Sequence, residues 1–368
     1  MRKRELKNIE WGLVIVAIIL SLIGLVALFS ATQETENEEF YKQLIWLGIS
    51  IVIMIIVMIV DYNAIVKISP IMYGVIVILL VGVLFTKPIN GASSWFEIGM
   101  FSLQPAEFAK PIVIVFLAYV ISKIQNTYKE NISKPTRVLL ILTIFAVPVL
   151  LIIKQPDYGT ATAFVIALAM MLLIAGIDKK YIIITLLLIV IAVPIAYNYI
   201  LPEHAKQRID IYLNPESDPR GAGYNIIQSK LAIGAGQLTG MGFLKGNQTQ
   251  LGFLYPKTTD FIFSVIGEEL GFIVSASVII MYIYLLTKSI YVAKTAKDSV
   301  GSLIATGITG IFLFHVVENV GMVMGLLPIT GVPLPFVSYG GSSLMTNFLC
   351  IGLLLNISSK RQKTIFVK

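Results

Sequence analysis

The stretch Gly12-Leu13-Val14-Ile15-Val16-Ala17-Ile18-Ile19-Leu20-Ser21-Leu22-Ile23-Gly24-Leu25-Val26-Ala27-Leu28-Phe29-Ser30 carries no ionisable side chain. Wound as an α-helix it covers about 28 Å, close to the hydrocarbon thickness of a bilayer at roughly 30 Å. Arg2, Lys3, Arg4 and Lys7 precede it, as in a signal peptide. The apolar run exceeds a normal secretory core, however, so it reads as an uncleaved first membrane helix. Working outward, the same reading applies near 44–60, 69–86, 106–123, 138–153, 160–175, 181–200, 262–286, 302–324 and 343–357. Of the 368 residues 57% are hydrophobic and 13% charged, a balance that excludes a soluble globular domain. The expectation is an all-α polytopic membrane protein. Residues 1–368 form a single integral membrane domain with about ten transmembrane helices, a large extracytoplasmic loop and re-entrant segments.

Both tails are basic, the second through Lys360, Arg361, Lys363 and Lys368. Alternate short loops hold Lys67; then Lys123, Lys129, Lys134 and Arg137; then Lys179 and Lys180; then Lys288, Lys294 and Lys297. The first loop on the other side, Gln33-Glu34-Thr35-Glu36-Asn37-Glu38-Glu39, is acidic. Positive charge gathers on the cytoplasmic side, so both termini are expected in the cytoplasm and the loop 201–260, between spans seven and eight, outside it. Lipid headgroups and the membrane potential account for the net charge of +7, and no nucleic-acid partner is expected. The single cysteine, Cys350, lies in the last apolar segment and excludes a disulfide framework.

Two external segments are long. From Lys87 to Gln104 the chain places Trp95 and Phe96 beside small residues, which suits a segment at headgroup level. In 201–260, Asn214-Pro215 and Asp218-Pro219 signal successive turns, and a short interfacial helix is expected from Tyr224 to Ile233. Gly234, Gly236, Gly240, Gly242 and Gly246 follow, with Lys245 among them. Such a loop can present backbone N–H groups to a phosphate, although the spacing alone favours a mobile connector. Gly234-Ala235-Gly236 is no dinucleotide fingerprint, because no strand precedes it. No internal repeat of the kind found in many secondary transporters is visible.

The loop ends in Thr258-Thr259-Asp260-Phe261-Ile262-Phe263-Ser264-Val265-Ile266-Gly267-Glu268-Glu269-Leu270-Gly271. A carboxylate at the mouth of a membrane helix is costly, which makes Asp260 a functional candidate; helix capping by Thr259 or Asp260 is the plain alternative. Glu268 lies about 12 Å deeper and roughly 80° round the helix, with Glu269 on the opposite face. Glu107 and Lys110, at i and i+3 behind Pro105, can neutralise each other. Their spacing fits both a packing ion pair and the charged wall of a cavity. His315, Glu318 and Asn319 form a polar stripe on the ninth span, where His315 with Glu318 reads as a hydrogen-bonded packing pair rather than a metal site. The run from Leu327 to Ser343 holds Pro328, Pro333 and Pro335 with Gly331, Gly340 and Gly341. Irregular backbone at membrane depth must be covered by protein or water, so this run is expected to form a re-entrant cavity wall.

These blocks resemble the SEDS family of bacterial morphogenesis, division and sporulation, the RodA, FtsW and SpoVE proteins, and most resemble a RodA-type member. The resemblance rests on Gln104-Pro105-Ala106-Glu107-Phe108-Ala109-Lys110, Gln155-Pro156-Asp157-Tyr158-Gly159-Thr160, Asn214-Pro215 through Asp218-Pro219, Gly221-Ala222-Gly223-Tyr224-Asn225 and Gln228-Ser229. It continues through Thr259-Asp260-Phe261-Ile262-Phe263, Glu268-Glu269, Gly271, Asn319-Val320-Gly321-Met322 and Pro333-Leu334-Pro335-Phe336-Val337-Ser338-Tyr339-Gly340-Gly341-Ser342-Ser343. The chain departs from the family at Ser93 or Ser94, before Trp95, where the family often has a basic residue.

The resemblance implies a peptidoglycan glycosyltransferase of the bacterial cytoplasmic membrane, polymerising lipid II at the outer face among membrane lipids, with a class B penicillin-binding protein as transpeptidase partner. The family's essential aspartate maps onto Asp260, and its acidic and basic pair onto Glu107 and Lys110. In such a reaction a carboxylate accepts the proton of a sugar hydroxyl while positive charge steadies the departing pyrophosphate. Cations for that purpose are available at Lys110, Arg208, Arg220, Lys245 and Lys257, or from a bound Mg or Mn ion, for which Asp260 is an alternative ligand. Glu268, Ser338 and Tyr339 are expected to support the site. The competing expectation is a flippase for lipid II or another lipid-linked oligosaccharide.

Overall fold

Helix boundaries follow the start signals in the chain. The structure, a computed structural model, describes residues 8–87, 93–98, 101–127, 131–184 and 222–361, with isolated positions between 187 and 214. Its helices are α1 (Trp11–Ala31), α2 (Glu38–Ile59), α3 (Tyr62–Val83), α4 (Pro105–Ser122), α5 (Pro135–Lys154), α6 (Tyr158–Ile174), α7 (Ala222–Ala235), α8 (Ile262–Thr295), α9 (Ser299–Val323) and α10 (Gly341–Ser359). Pro105 and Pro135 open α4 and α5, where a missing N–H costs nothing. Asp61, Asp157 and Asp298 cap α3, α6 and α9 by accepting the N–H of Asn63, Thr160 and Gly301. Nine expected spans coincide with these helices, α7 being the expected interfacial one. The span at 181–200 lies largely outside the described residues.

The central helices are α4, α9 and α10. Most of the apolar window of α9 (72%) and α10 (83%) is buried, against 22–28% for α2, α3, α5 and α8, which turn their apolar faces outward to lipid. Lipid tails are as apolar as leucine, so close backbone approach must supply the packing. A Cβ on Gly310 would stand 2.9 Å from Cα of Ala167, and one on Gly352 would stand 2.8 Å from the Met54 carbonyl oxygen. These glycines seat α9 on α6 and α10 on α2. Where α2 breaks into α3, the Asn356 amide on α10 donates to the carbonyls of Val57, Met58 and Val60, and its oxygen accepts the N–H of Tyr62.

The start of α1 and the end of α10 meet at one end of the bundle. There Glu10 pairs with Arg361 and Lys288, Lys360 pairs with Asp61, and the Tyr62 hydroxyl donates to Asp298 at 2.5 Å. Burial opposes ionisation of Glu10, but hydrogen bonds from Arg361 and Lys288 outweigh it and hold the carboxyl below its ordinary value. At the opposite end lie a small antiparallel hairpin, β1 (Phe96–Ile98) with β2 (Phe101–Leu103), and the beginnings of α4, α6, α8 and α10. The headgroup-level segment thus contains paired strands that the sequence did not announce.

The glycine-rich loop departs from expectation. Helix α8 is interrupted at Gly271, whose φ of 78° and ψ of −174° are not helical. The interruption frees backbone groups that lipid cannot satisfy, and the loop after α7 satisfies them. Met241 and Gly242 donate N–H to the carbonyls of Glu268 and Glu269, while the N–H groups of Phe272 and Ile273 reach the carbonyls of Gln237 and Leu238. A mobile connector is therefore the wrong reading, because the loop is hydrogen-bonded into the helix it precedes.

Candidate functional site

The site is built around the irregular run between α9 and α10. Its backbone turns through left-handed conformations at Gly331 (φ 73°) and Phe336 (φ 68°), which only a well-held segment keeps. Phe336 is gripped between the rings of Phe312 and Phe348, at 5.7 and 5.4 Å. From α2, Gln43 donates to the Ser338 carbonyl and accepts the Gly340 N–H, both at 3.1 Å. Ser338 is buried, and its hydroxyl accepts the Leu334 N–H at 2.8 Å and donates to the Thr259 carbonyl at 2.7 Å. The Tyr339 N–H reaches the Thr258 carbonyl at 2.9 Å. Ser338 and Tyr339, two of the three residues expected to support the site, thus hold the segment that carries Asp260.

Asp260 is half-buried in the turn before α8. Its carbonyl accepts from the Asn319 amide at 2.9 Å, and a methyl group placed on Gly331 would stand 3.6 Å from its Oδ2. The N-cap of α8 is Phe261, with no side-chain capping bond. The capping alternative for Thr259 or Asp260 falls away, since the helix begins one residue too late for Asp260 and two too late for Thr259.

Glu107 and Lys110 form the expected pair on α4, with Nζ at 2.9 and 2.8 Å from the two carboxylate oxygens and side chains 3% and 1% exposed. The Lys110 ammonium also lies 3.1 Å from Nε2 of His315, and Nδ1 of His315 lies 3.1 Å from the Pro333 carbonyl oxygen. The expected bond between His315 and Glu318 does not form. Glu318 instead accepts from the Thr330 hydroxyl at 2.7 Å, because the irregular run passes across α9 and offers each side chain a nearer partner. Asp157 completes the network by accepting from the Thr160 N–H at 3.0 Å and the Gln104 amide at 3.2 Å. Burial raises its carboxyl above the ordinary value, as does nearby Glu107, while Thr160 and Lys110 oppose the shift. The start of α6 presses on the same run, since a Cβ on Gly159 would meet Val332 at 2.3 Å.

Glu268 is fully buried, and its carboxylate accepts the N–H groups of Gln248 and Thr249 (2.7 and 3.0 Å) and the Thr249 hydroxyl (2.6 Å). Glu269 also reaches this loop instead of facing away from it, accepting from Ser30, Gly246, Gln250 and Leu244. Lys257 binds Glu34 and the Thr249 carbonyl, at 3.1 and 3.0 Å. Lys245 is exposed on the glycine-rich loop. Arg208 and Arg220 lie outside the described residues. Among the described residues no three acidic, histidine or cysteine side chains converge as a metal cage. Gln43, Asp157 and Glu269 were not nominated as site residues: Asp157 and Glu269 stand inside the quoted blocks without an assigned role and Gln43 in none of them, and each becomes visible through a partner far along the chain.

Several known proteins are similar to this chain along nearly its whole length. The chain is 31% identical to the peptidoglycan glycosyltransferase RodA of Treponema pallidum, covering 98% of this chain and all of that protein. It is 38% identical to the stage V sporulation protein E of Bacillus subtilis, over 94% and 96% of the two chains. A chain from a peptidoglycan synthase complex that coordinates polymerization and crosslinking superposes with a TM-score of 0.84 and 27% identity, covering 96% of this chain and 99% of that one. The rod shape determining protein RodA of Thermus thermophilus superposes with a TM-score of 0.72 and 25% identity, over 96% and 98%. The family model of the FtsW, RodA and SpoVE cell cycle proteins matches residues 10–363, and the chain belongs to that family.

Proposed function

We propose that the chain is a peptidoglycan glycosyltransferase that polymerises lipid II at the outer face of the bacterial cytoplasmic membrane, with Asp260 as the proton acceptor. The observation that carries this reading is the position of Asp260, half-buried beside Gly331 of the irregular run, at the end of the bundle away from both termini. With both termini cytoplasmic, that end faces the outside. A sugar 4-hydroxyl attacks the anomeric carbon of a second lipid-linked sugar, Asp260 takes the hydroxyl proton, and undecaprenyl pyrophosphate leaves. An α-linked donor yields a β-1,4 bond in one inverting displacement, so no covalent enzyme intermediate is needed.

The buried Glu107–Lys110 pair ties α4 to His315 of α9 behind the irregular run, and Lys245, exposed on its loop, is placed where a departing pyrophosphate can meet it. A hard Mg or Mn ion would be held by the single Asp260 carboxylate together with pyrophosphate oxygens, where it would neutralise developing charge. Ile65, Phe108, Leu349 and Leu353 line an apolar cavity of about 330 Å³ between α2, α3, α4 and α10, suited to part of a polyprenyl chain. A class B penicillin-binding protein supplies the transpeptidase. The test is lipid II polymerisation by the purified chain with such a partner, with and without EDTA, beside Asp260→Ala and Asp260→Asn. Loss of polymer in both variants with the fold intact is expected. Undiminished polymerisation by a folded Asp260→Ala chain would remove the base and the metal-ligand roles together.

A further inference from the structure

Three side chains on one face of α9 hold the irregular run: Glu318 takes the Thr330 hydroxyl, Asn319 donates to the Val332 carbonyl, and His315 contacts the Pro333 carbonyl. Of the three, His315 also reaches the buried ion pair. An ammonium group has donors only, so Nε2 of His315 must accept from Lys110, and the ring proton is left on Nδ1 to donate to Pro333. The tautomer follows from this hydrogen-bond logic. Both ring nitrogens are then used, and the Lys110 ammonium has two hydrogen-bond acceptors, Oε1 of Glu107 and Nε2 of His315, with Oε2 of Glu107 in ion-pair contact at 2.8 Å. One residue before Pro333, the Val332 carbonyl shares the Asn319 amide with the carbonyl of Asp260, each at 2.9 Å. A continuous chain of bonds therefore runs from Lys110 through His315 to the segment that walls Asp260.

We propose that His315 is a positioning residue for the polymerase reaction, aiming the Lys110 ammonium and fixing the irregular run against Asp260; this rests on the function proposed above. A structural filler would need only the volume of the ring. A positioning residue needs one acceptor facing Lys110 and one donor facing Pro333, which a glutamine amide also provides and a leucine does not.

The experiment compares His315→Gln and His315→Leu in lipid II polymerisation, with kcat and KM normalised to folded protein. His315→Leu is expected to lose about 100-fold in kcat with KM little changed, as misplacement of a reacting group does, and His315→Gln to recover most of that loss. The chain has two histidines, His204 and His315, so imidazole ¹⁵N spectra of the full-length protein in lipid nanodiscs can be assigned by the same variants. His315 is expected to carry its proton on Nδ1, with the Nε2 resonance shifting in Lys110→Met. Wild-type turnover in His315→Leu, loss without rescue in His315→Gln, or a proton on Nε2 each overturns the proposal. An inert wild-type chain beside an active partner would instead sink the polymerase reading, and the spectra would still report whether the Lys110 bond exists.

Discussion

Asp260 and the Glu107–Lys110 pair ask for different tests because their surroundings differ. Asp260→Asn keeps the shape of the side chain and removes its capacity to take a proton, so kcat is expected to fall by about 10²- to 10⁴-fold with the thermal unfolding midpoint unchanged. Glu107→Ala leaves a buried ammonium with one hydrogen-bond acceptor in place of two and no counter-charge, and breaking a buried pair from one side costs about 3–5 kcal/mol. Turnover is expected to drop together with thermal stability; near-normal turnover would reduce the pair to packing. Glu10 gives a pH-dependent case. Its folded carboxyl titrates below its ordinary value of 4.5, so its stabilising contribution is complete above that value and lost as pH falls through the lower folded value. Glu10→Gln is expected to melt a few degrees below wild type at pH 7, with the gap closing in melts taken progressively further below pH 4.5. A gap that persists unchanged in acid would separate Glu10 from the pairing with Arg361 and Lys288. Asp260 and Glu107 were legible as sequence features and Glu10 was not; only Glu107 came with its partner, because only that pair is local.

At the scale of elements, the junction of α8 with the glycine-rich loop decides the architecture around the site. Gly271 sits at positive φ, and a Cβ there would stand 2.2 Å from the Gly240 nitrogen. Gly271→Ala is therefore expected to lower the unfolding midpoint by several degrees and to expose the 237–242 loop to proteolysis, as read by limited digestion in detergent. Unchanged digestion and melting would mean that the interruption is not held by this contact. Glycine spacing was visible in the sequence and suggested freedom. Its actual use at Gly236, Gly240 and Gly271 is close approach, because a Cβ there would stand 1.8, 2.1 and 2.2 Å from backbone atoms across the junction with the broken helix.

For the whole molecule, the bundle separates a basic end, where the start of α1 meets the end of α10, from the end that carries Asp260. Thiol labelling of intact cells tests this separation. With Cys350 buried, Lys245→Cys is expected to react with a membrane-impermeant maleimide from outside, and Lys297→Cys only after permeabilisation. The reverse pattern would invert the orientation and remove Asp260 from the outer face. Among the described residues seven helices are long and apolar enough to cross a membrane, and each coincides with an apolar run read from the sequence.

The sequence by itself determined the spans, the class of protein and the residue types at the site. In lipid each backbone must close its hydrogen bonds within its own segment, and helix length and polarity are local quantities. Only the tertiary structure decided which polar groups meet: His315 with Lys110 instead of Glu318, Gln43 with Ser338 and Gly340, Glu268 and Glu269 with the loop before them. Such pairings join residues tens to hundreds of positions apart. They follow from which helices lie side by side and where the irregular run crosses them, and the packing of the folded bundle sets both.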